Sequence, residues 1–341
     1  MSVIWKNLEI FNVDEIYENE NGSISWRRIP ESLMQAVERD GARMQAVRCT
    51  GVELRFVMKS EKVVLKMRVR QGNGVTHVYR GGIQGGWQDH EAGKIVSTEV
   101  KEVEIERSAN LEHLRFMTEK SGLPWDCEVV RVIFDRGEYE LFDVIGDIEP
   151  PQKEQCPSRV LMAYGSSITH GSNSYDASHS WVAMIAHNLK MDAMNKGFAG
   201  SCCLEPEMAD YLAGEGEKGV WDLITLELGI NVLDWDEEKI VTRTENMIRQ
   251  VAGRNPKKQV FVISPFYHTG DDFDENRSAA KWRRLIEQTV KQLDYPNVTY
   301  VNGLEMIGDA STMSADEVHP NIYGVQQIAD RLTAIISSVA M

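Results

Sequence analysis

Five short apolar segments, separated by helical patterns, occupy the second half of this 341-residue sequence and restrict its fold more than any other feature. Buried strands that alternate with amphipathic helices are typical of a parallel sheet covered by helices on both faces. The predicted strands are 160–163, 191–195, 223–228, 260–264 and 298–301; apolar residues with helical spacing lie within 240–251, 282–293 and 323–336. Pro320 is predicted to open the last helix. Functional side chains are expected at the carboxyl ends of the strands.

The first 148 residues follow a different pattern. Val63, Leu65, Met67 and Val69 alternate with more polar neighbours, which is the period of a half-buried strand. A hairpin turn is predicted at 135–138, and a single helix is predicted at 31–38. Many short strands with little helix indicate a β-sandwich of the jelly-roll type.

A proline-rich segment separates the two patterns. Three prolines within residues 149–157 oppose both a helix and a central strand. A chain of this length usually forms more than one domain. We therefore predict an accessory β-sandwich domain at 1–148, a linker at 149–158 and an α/β domain at 159–341.

Composition restricts the partners. The formal net charge of −15 argues against nucleic acid and anionic membrane surfaces, since both require a basic face. No apolar run approaches the length of a membrane span, and the first residues do not resemble a targeting segment. Five cysteines without a CxxC pair indicate reduced thiols and a cytoplasmic protein. The sequence leaves open whether the chain forms a homo-oligomer.

A serine follows the first predicted strand of the α/β region. Ser167 lies between Gly165 and Gly171, which allow a tight turn that leaves a hydroxyl accessible. A serine hydroxyl needs a base to act as a nucleophile. About 150 residues later, His319 follows Asp316 by three positions, so the carboxylate could accept the proton on the far imidazole nitrogen. Taken alone, each segment also fits an ordinary Gly-Ser loop or a helix N-cap.

Two further residues follow the next strands. Asn231 comes after the third strand, where its side-chain N–H could stabilise a developing oxyanion. Gly200 follows the second strand and could offer a backbone N–H to the same charge. Either residue could instead be a simple turn residue.

Taken together, these segments resemble the SGNH, or GDSL-type, hydrolase superfamily. Its four blocks match 165–169, Gly200, 229–231 and 316–320, over about the last 180 residues. The resemblance implies a flavodoxin-like α/β/α hydrolase domain with Ser167 as nucleophile, His319 as base and Asp316 as its orienting acid. It also implies an oxyanion hole formed by the Ser167 N–H, the Gly200 N–H and the Asn231 side chain.

Two positions depart from the common pattern. Ser166 stands where the superfamily usually has Asp, and Val232 stands where an Asp usually follows the asparagine block. A GSSIT block behind a jelly-roll domain resembles a branch that includes carbohydrate O-acetyl esterases and an acyltransferase-like member. The departure at Ser166 leaves the triad intact, because Asp316 supplies the acid.

The predicted function is that of a serine esterase that removes a small acyl group, expected to be acetyl, from a carbohydrate. The expected partner is therefore a small acylated sugar. No metal or organic cofactor is expected, since the other seven histidines lack metal-ligand spacing. Trp235, Tyr267 and His268 follow strand ends and are candidate substrate-binding residues. Three alternatives remain: an acyltransferase with the same triad, a lipase or thioesterase for longer chains, and a non-catalytic carbohydrate-binding protein.

Overall fold

Two antiparallel sheets formed within residues 2–149 pack face to face. The computed structural model describes residues 1–87, 93–274, 276–277 and 279–340. The strands of this region are β1 (Ser2–Trp5), β2 (Leu8–Phe11), β3 (Glu15–Glu18), β4 (Ile24–Arg27), β5 (Glu53–Met58), β6 (Lys62–Gln71), β7 (Val75–Arg80), β8 (Ile83–Gln84), β9 (Lys94–Ile95), β10 (Lys101–Glu106), β11 (Val129–Phe134), β12 (Glu138–Ile145) and β13 (Ile148–Glu149).

The sandwich core forms between these two sheets. One sheet has the order β1-β2-β5-β11-β7-β8, with β13 paired to β5 and β9 to β7, and the other has the order β10-β6-β12-β4-β3. Leu65 and Met67 on β6 pack with Leu54 and Phe56 on β5 in one buried cluster. The apolar residues that alternate along β6 therefore face the core between the sheets. The predicted β-sandwich is confirmed.

Three helices interrupt the strands in the described part of this region, whereas the sequence predicted one. They are α1 (Glu31–Ala36), α2 (Asp40–Ala46) and α3 (Leu111–Ser121). The predicted helix at 31–38 ends two residues early, and α2 and α3 were not predicted. Two-turn helices such as α1 and α2 carry little periodicity and depend on tertiary packing. Leu33 and Ala42 supply that packing, since both are buried in a core shared with the α/β region.

The second half folds around a five-stranded parallel sheet. Its strands are β14 (Val160–Gly165), β15 (Asp192–Gly197), β16 (Leu223–Glu227), β17 (Gln259–Ile263) and β18 (Val298–Val301), in the order β15-β14-β16-β17-β18. The helices are α4 (Trp181–Asn188), α5 (Pro206–Glu217), α6 (Glu237–Arg254), α7 (Gly270–Phe273), α8 (Ala280–Leu293) and α9 (Ile322–Ala340). α5, α6 and α8 cover one face, and α4 and α9 cover the other. The predicted flavodoxin-like fold is confirmed.

The last helix begins at Ile322, two residues after the predicted start at Pro320. The Asn321 side chain accepts hydrogen bonds from the backbone N–H groups of Tyr323 (3.0 Å) and Gly324 (3.2 Å). Asn321 is therefore the N-cap, because it satisfies donors that have no partner in the first turn. Pro320 instead forms a bridge with Met313 in the preceding loop.

The two regions share buried contacts as well as a core. Arg55 on β5 donates two hydrogen bonds to Asp192 on β15, at 2.7 and 2.8 Å, and both side chains are buried. Residues 153–155 form a single 3₁₀ turn between the sandwich and β14. The division into separate domains with a linker at 149–158 stays a prediction. Among the described residues, no helix has the length and apolar character needed to cross a membrane.

Candidate active site

A cleft of about 860 Å³ lies at the carboxyl ends of β14, β15 and β16. Parallel strands bring these ends to one edge of the sheet, and the loops after them supply most of the lining. Six residues singled out in the sequence line the cleft: Ser167, Gly200, Asn231, His268, Asp316 and His319. A smaller cavity of about 480 Å³ between the sandwich and α4 contains none of them.

Ser167, His319 and Asp316 form a continuous hydrogen-bonded chain. The Ser167 Oγ lies 2.7 Å from the His319 Nε2, and the His319 Nδ1 lies 2.9 Å from the Asp316 Oδ2. A carboxylate can only accept, so it selects the imidazole tautomer that carries its proton on Nδ1. The Nε2 lone pair is then directed at the serine hydroxyl. The arrangement can remove a proton from Ser167.

The loop around Asp316 holds its carboxylate in the ionised form. The Asp316 Oδ1 accepts from the backbone N–H groups of His319 (2.8 Å) and Val318 (3.1 Å). Burial works to raise the pKa of Asp316, but these N–H groups, the Ser314 side chain and the His319 ring hold it well below its usual range. The carboxylate therefore remains available to stabilise an imidazolium.

Asn173 supports the acid from the loop after β14. Its Nδ2 donates to the Asp316 Oδ2 at 3.1 Å and to the Ser314 Oγ at 2.8 Å. Its backbone has a φ of 61°, a conformation that asparagine adopts more readily than most residues. Sequence reasoning missed Asn173, because a turn asparagine gives no sign of which distant side chain it contacts.

Three residues that line the cleft, Ser167, Gly200 and Asn231, carry donors for which the described residues provide no acceptor. The Asn231 Oδ1 accepts from the Cys202 N–H at 3.1 Å, which directs the amide NH₂ away from that bond. Among the described residues, no acceptor takes this NH₂ or the N–H groups of Ser167 and Gly200. Gly200 has a φ of 68°, and a Cβ there would project into open space. The glycine is thus required by its backbone conformation.

An arginine from the first half joins the two loops that carry these donors. The Arg39 Nη1 donates to the Gly200 carbonyl at 2.9 Å and to the Asn231 carbonyl at 3.1 Å. Arg39 immediately precedes α2, more than 150 residues before either partner. No sequence pattern around Arg39 indicated this contact.

Glu227 lies beneath the serine loop, which we define as residues 165–172, and contacts the loop residue Ser166. Ser166 is fully buried, and its N–H donates to the Glu227 Oε2 at 2.7 Å; the Thr169 hydroxyl donates to the same oxygen at 2.9 Å. Burial raises the pKa of Glu227 to about 7, and the hydrogen bonds from Ser166 and Thr169 only partly oppose it. Glu227 was not singled out in the sequence.

The three candidate substrate-binding residues occupy different environments. His268 lines the cleft, and its Nδ1 accepts from the Gly270 N–H at 3.2 Å, which leaves Nε2 without a partner among the described residues. The Tyr267 hydroxyl donates to Asp272 at 2.6 Å, and its ring packs in the core under α9. The Trp235 ring packs at the edge of the other core, with the Lys239 ammonium 4.0 Å from its centroid. Of the three, only His268 is placed at the cleft.

The described histidines other than His319 do not gather around a metal position. The described residues contain no group of three or more His, Cys, Asp or Glu side chains that could hold a metal ion. His170, the histidine nearest to Ser167 in sequence, is fully buried with its Nε2 3.1 Å from the Arg28 Nη2. His90 lies outside the described residues.

Known structures share this architecture over nearly the whole chain. The salicylyl-acyltransferase SsfX3 from a tetracycline biosynthetic pathway has a TM-score of 0.76 and 16% identity, with 100% of this chain and 97% of that chain covered. A family two carbohydrate esterase from Clostridium thermocellum in complex with cellohexaose has a TM-score of 0.63 and 16% identity, with 96% and 98% covered. A family two carbohydrate esterase from Cellvibrio japonicus has a TM-score of 0.63 and 13% identity, with 99% and 97% covered.

At sequence identities of 13–16%, these structures show that the fold is shared. The family assignment comes from a comparison of sequences. No curated protein matches this chain by sequence. The model of the GDSL-like Lipase/Acylhydrolase family matches residues 158–337, which include the whole serine loop, Gly200, Asn231, Asp316 and His319. The chain therefore belongs to the GDSL-like Lipase/Acylhydrolase family and is an ester-hydrolysing enzyme.

Proposed function

We propose that this enzyme is a serine esterase that removes a small acyl group, which we expect to be acetyl, from a carbohydrate. The observation that carries the proposal is the hydrogen-bonded chain from Ser167 through His319 to Asp316, which opens onto the cleft. Such a chain performs acyl transfer on several unrelated folds, so it is recognised by its geometry.

The reaction proceeds in two halves. The Ser167 Oγ attacks the ester carbonyl carbon while its proton passes to the His319 Nε2, and Asp316 stabilises the resulting imidazolium. The tetrahedral intermediate expels the alcohol oxygen, which takes the proton back from His319, and an acyl-serine remains. In the second half, water attacks the acyl carbon while its proton passes to His319, and the free acid leaves as the Ser167 Oγ takes that proton back.

In the proposed mechanism three donors form the oxyanion hole: the Ser167 N–H, the Gly200 N–H and the Asn231 side-chain NH₂. In each half-reaction a negative charge develops on the former carbonyl oxygen. In this proposal the N–H groups of Ser167 and Gly200 and the Asn231 NH₂, on residues that line the cleft, stabilise this charge, and preorganised donors lower the barrier most when they need not rearrange. Arg39 keeps the Gly200 and Asn231 loops at their spacing.

The carbohydrate substrate is supported by the fold and by the cleft. Two similar structures are carbohydrate esterases, and one of them holds cellohexaose. His268 also lines the cleft, but its Nε2 is buried, so we assign it to the wall of the sugar site and to no hydrogen bond with the sugar. The net charge of −15 favours a small molecule over nucleic acid.

Substitution of the nucleophile tests the proposal. Ser167→Ala removes one hydroxyl and should abolish nearly all release of acetate from acetylated oligosaccharides while the fold remains intact by circular dichroism. A serine-directed phosphonate should label Ser167 in the wild type. Labelling of Ser166 or Ser172 instead would overturn the assignment. A series of nitrophenyl esters should show the highest kcat/KM with acetyl, and a steady rise toward octanoyl would support a lipase.

An acyltransferase would use the same residues, with an acceptor alcohol in place of water. A cleft of about 860 Å³ has room for a second alcohol beside the acyl-serine. Added acceptor alcohols should then divert the acyl group from free acid to a new ester, which product analysis separates from hydrolysis. A protein that only binds carbohydrate would release no acid from any ester.

A further inference from the structure

The hairpin between β11 and β12 brings an arginine from the β-sandwich into the cleft. Arg136 lines the same space as Ser167 and His319. Its Nη1 donates to the Ser172 Oγ at 2.5 Å, and the Ser172 N–H donates to the Ser167 carbonyl at 2.9 Å. The guanidinium is therefore connected to the serine loop through a single residue.

Arg136 has no anionic partner within the part of the chain that the structure describes. It is half-buried, yet no described carboxylate lies within ion-pair distance, and its one hydrogen bond among described residues leaves most of its five N–H donors unused. Burial, and secondarily the charge of Arg48, lower the pKa of Arg136. Arg48 itself lies 3.5 Å from the Glu138 carboxylate.

The other charged groups of the cleft have different surroundings. Arg277 lies 3.7 Å from Glu317, and Asp316 is hydrogen-bonded to His319. Asp234 also lines the cleft but is exposed. Among described residues, Arg136 is thus the cleft cation without a carboxylate partner. A partly desolvated guanidinium of this kind gains most from an anion that arrives with the substrate.

We propose that Arg136 binds a carboxylate carried by the substrate, so that the preferred substrates are esters of acidic sugars or of dicarboxylic acids. The guanidinium fork matches a carboxylate with two parallel hydrogen bonds, a geometry that a neutral sugar hydroxyl cannot reproduce. The inference rests on the proposed serine-esterase chemistry and adds a charge to the substrate; a carboxylate on the acyl group would also replace acetyl as the preferred acyl group. The carboxylate can belong to the alcohol or to the acyl group, and the experiment separates the two.

Two matched pairs of esters test the charge preference. Acetylated glucuronic acid against acetylated glucose places the carboxylate on the alcohol; nitrophenyl hydrogen succinate against nitrophenyl butyrate places it on the acyl group. In the wild type, kcat/KM for the charged member of one pair should exceed that for the neutral member by about tenfold or more, mainly through KM. The pair that shows the preference identifies the position of the carboxylate.

Substitutions then assign the preference to Arg136. Arg136→Gln should bring the charged-to-neutral ratio down to about one or below, while Arg136→Lys should retain part of it, because it keeps the charge but loses the fork. Arg284→Gln is the matched control: it changes the net charge equally at an exposed position of α8 outside the cleft, and the ratio should stay at its wild-type value. Added salt should reduce the wild-type ratio.

Each outcome decides between the two proposals. Turnover of neutral and charged esters at equal kcat/KM, or a charge preference that survives Arg136→Gln, overturns the role of Arg136 and leaves the esterase proposal standing. Absence of turnover with every ester overturns the esterase proposal, and this inference with it. Where Arg136→Gln does not fold, the wild-type ratio and its decrease with salt, together with Arg136→Lys, provide the decision.

Discussion

Single residues around Ser167 divide between those that face the cleft and those that shape the loop beneath it. Ser166, at the position where related sequences usually have an aspartate, is buried, and its Oγ accepts from the Ile168 N–H at 3.1 Å. Asp316 has the opposite character, since it contacts the His319 ring directly. The structure therefore separates a turn-forming serine from the carboxylate that the proposed mechanism requires.

Substitution at these two positions should have very different effects. Asp316→Asn keeps the loop shape but loses the acceptor that selects the imidazole tautomer, so kcat should fall by about 10³–10⁴. Ser166→Ala should cost far less, because in the proposed mechanism this hydroxyl exchanges no proton. Steady-state kinetics on one acetyl ester compares the two variants. Equal losses would show that Ser166 has a catalytic role and that the third member of the triad is wrong.

Glu227 should give the enzyme a pH-dependent stability. Its pKa of about 7 in the folded state lies above its ordinary value, so between these values the folded state keeps a proton that the unfolded state releases. The free energy of unfolding should therefore decrease as pH rises from about 4.5 through about 7, by at most about 3 kcal/mol.

A non-titrating variant measures this contribution. Glu227→Gln can still accept from the Ser166 N–H and the Thr169 hydroxyl, but it does not ionise. Denaturant unfolding at about pH 5 and about pH 8 should show a smaller loss of stability in the variant than in the wild type. Identical losses would mean that Glu227 does not keep its proton in the folded state.

At the scale of elements, the proposed oxyanion hole depends on a segment outside the α/β region. Helices α1 and α2 bury Leu33 and Ala42 in the core shared with the α/β region. Arg39 lies between these two residues in the sequence, directly before α2. Arg39 then joins the loops that follow β15 and β16. Helix packing and loop geometry are thus coupled across the two regions.

Loss of this contact should affect the chemical step more than substrate binding. Arg39→Ala should lower kcat by about tenfold with little change in KM, because Arg39 acts through the positions of Gly200 and Asn231. Asn231→Ala, which removes a donor itself, should lower kcat further, by about 10²–10³. Arg39→Lys should recover part of the loss. A change confined to KM would instead place Arg39 in substrate binding.

At the scale of the whole molecule, buried charges connect the sandwich to the α/β region. Arg55 contacts Asp192 across the junction and also Glu53, at 2.7 Å, which in turn accepts from Arg131. The Arg55 guanidinium lies 3.4 Å from the Phe11 ring centroid. Buried ions of this kind are stable only as a complete set, because each one compensates the desolvation of another.

Breaking one member of this set should therefore destabilise both regions. Arg55→Ala leaves the Asp192 carboxylate buried without its partner and should cost about 3–5 kcal/mol of unfolding free energy. Replacement of both residues by apolar side chains, as in Arg55→Met with Asp192→Leu, should cost less than Arg55→Ala alone. Denaturant unfolding monitored by circular dichroism provides the comparison. A cost for Arg55→Ala below about 1 kcal/mol would show that water already solvates the pair.

The sequence by itself determined the fold class and which segments meet at the edge of the parallel sheet. Apolar strands alternating with helices permit few topologies, and the carboxyl ends of parallel strands converge, so Ser167, Gly200 and Asn231 had to lie near one another. The contact between Asp316 and His319 could likewise be predicted, because the two residues are only three positions apart in one loop. Their catalytic roles stay predictions.

Only the tertiary structure decided which distant residues support and line the site. Arg39, Arg136, Asn173 and Glu227 contact it from a helix start, a hairpin turn, a loop and a strand end. Hydrophobic periodicity reports which face of an element is buried, and it carries no information about the partner of a single polar side chain. For the same reason Trp235 and Tyr267, which follow strand ends as His268 does, point into core and loop contacts. Tertiary packing, between the two regions for Arg39 and Arg136 and within the α/β region for the other residues, made that selection, and no local pattern encodes it.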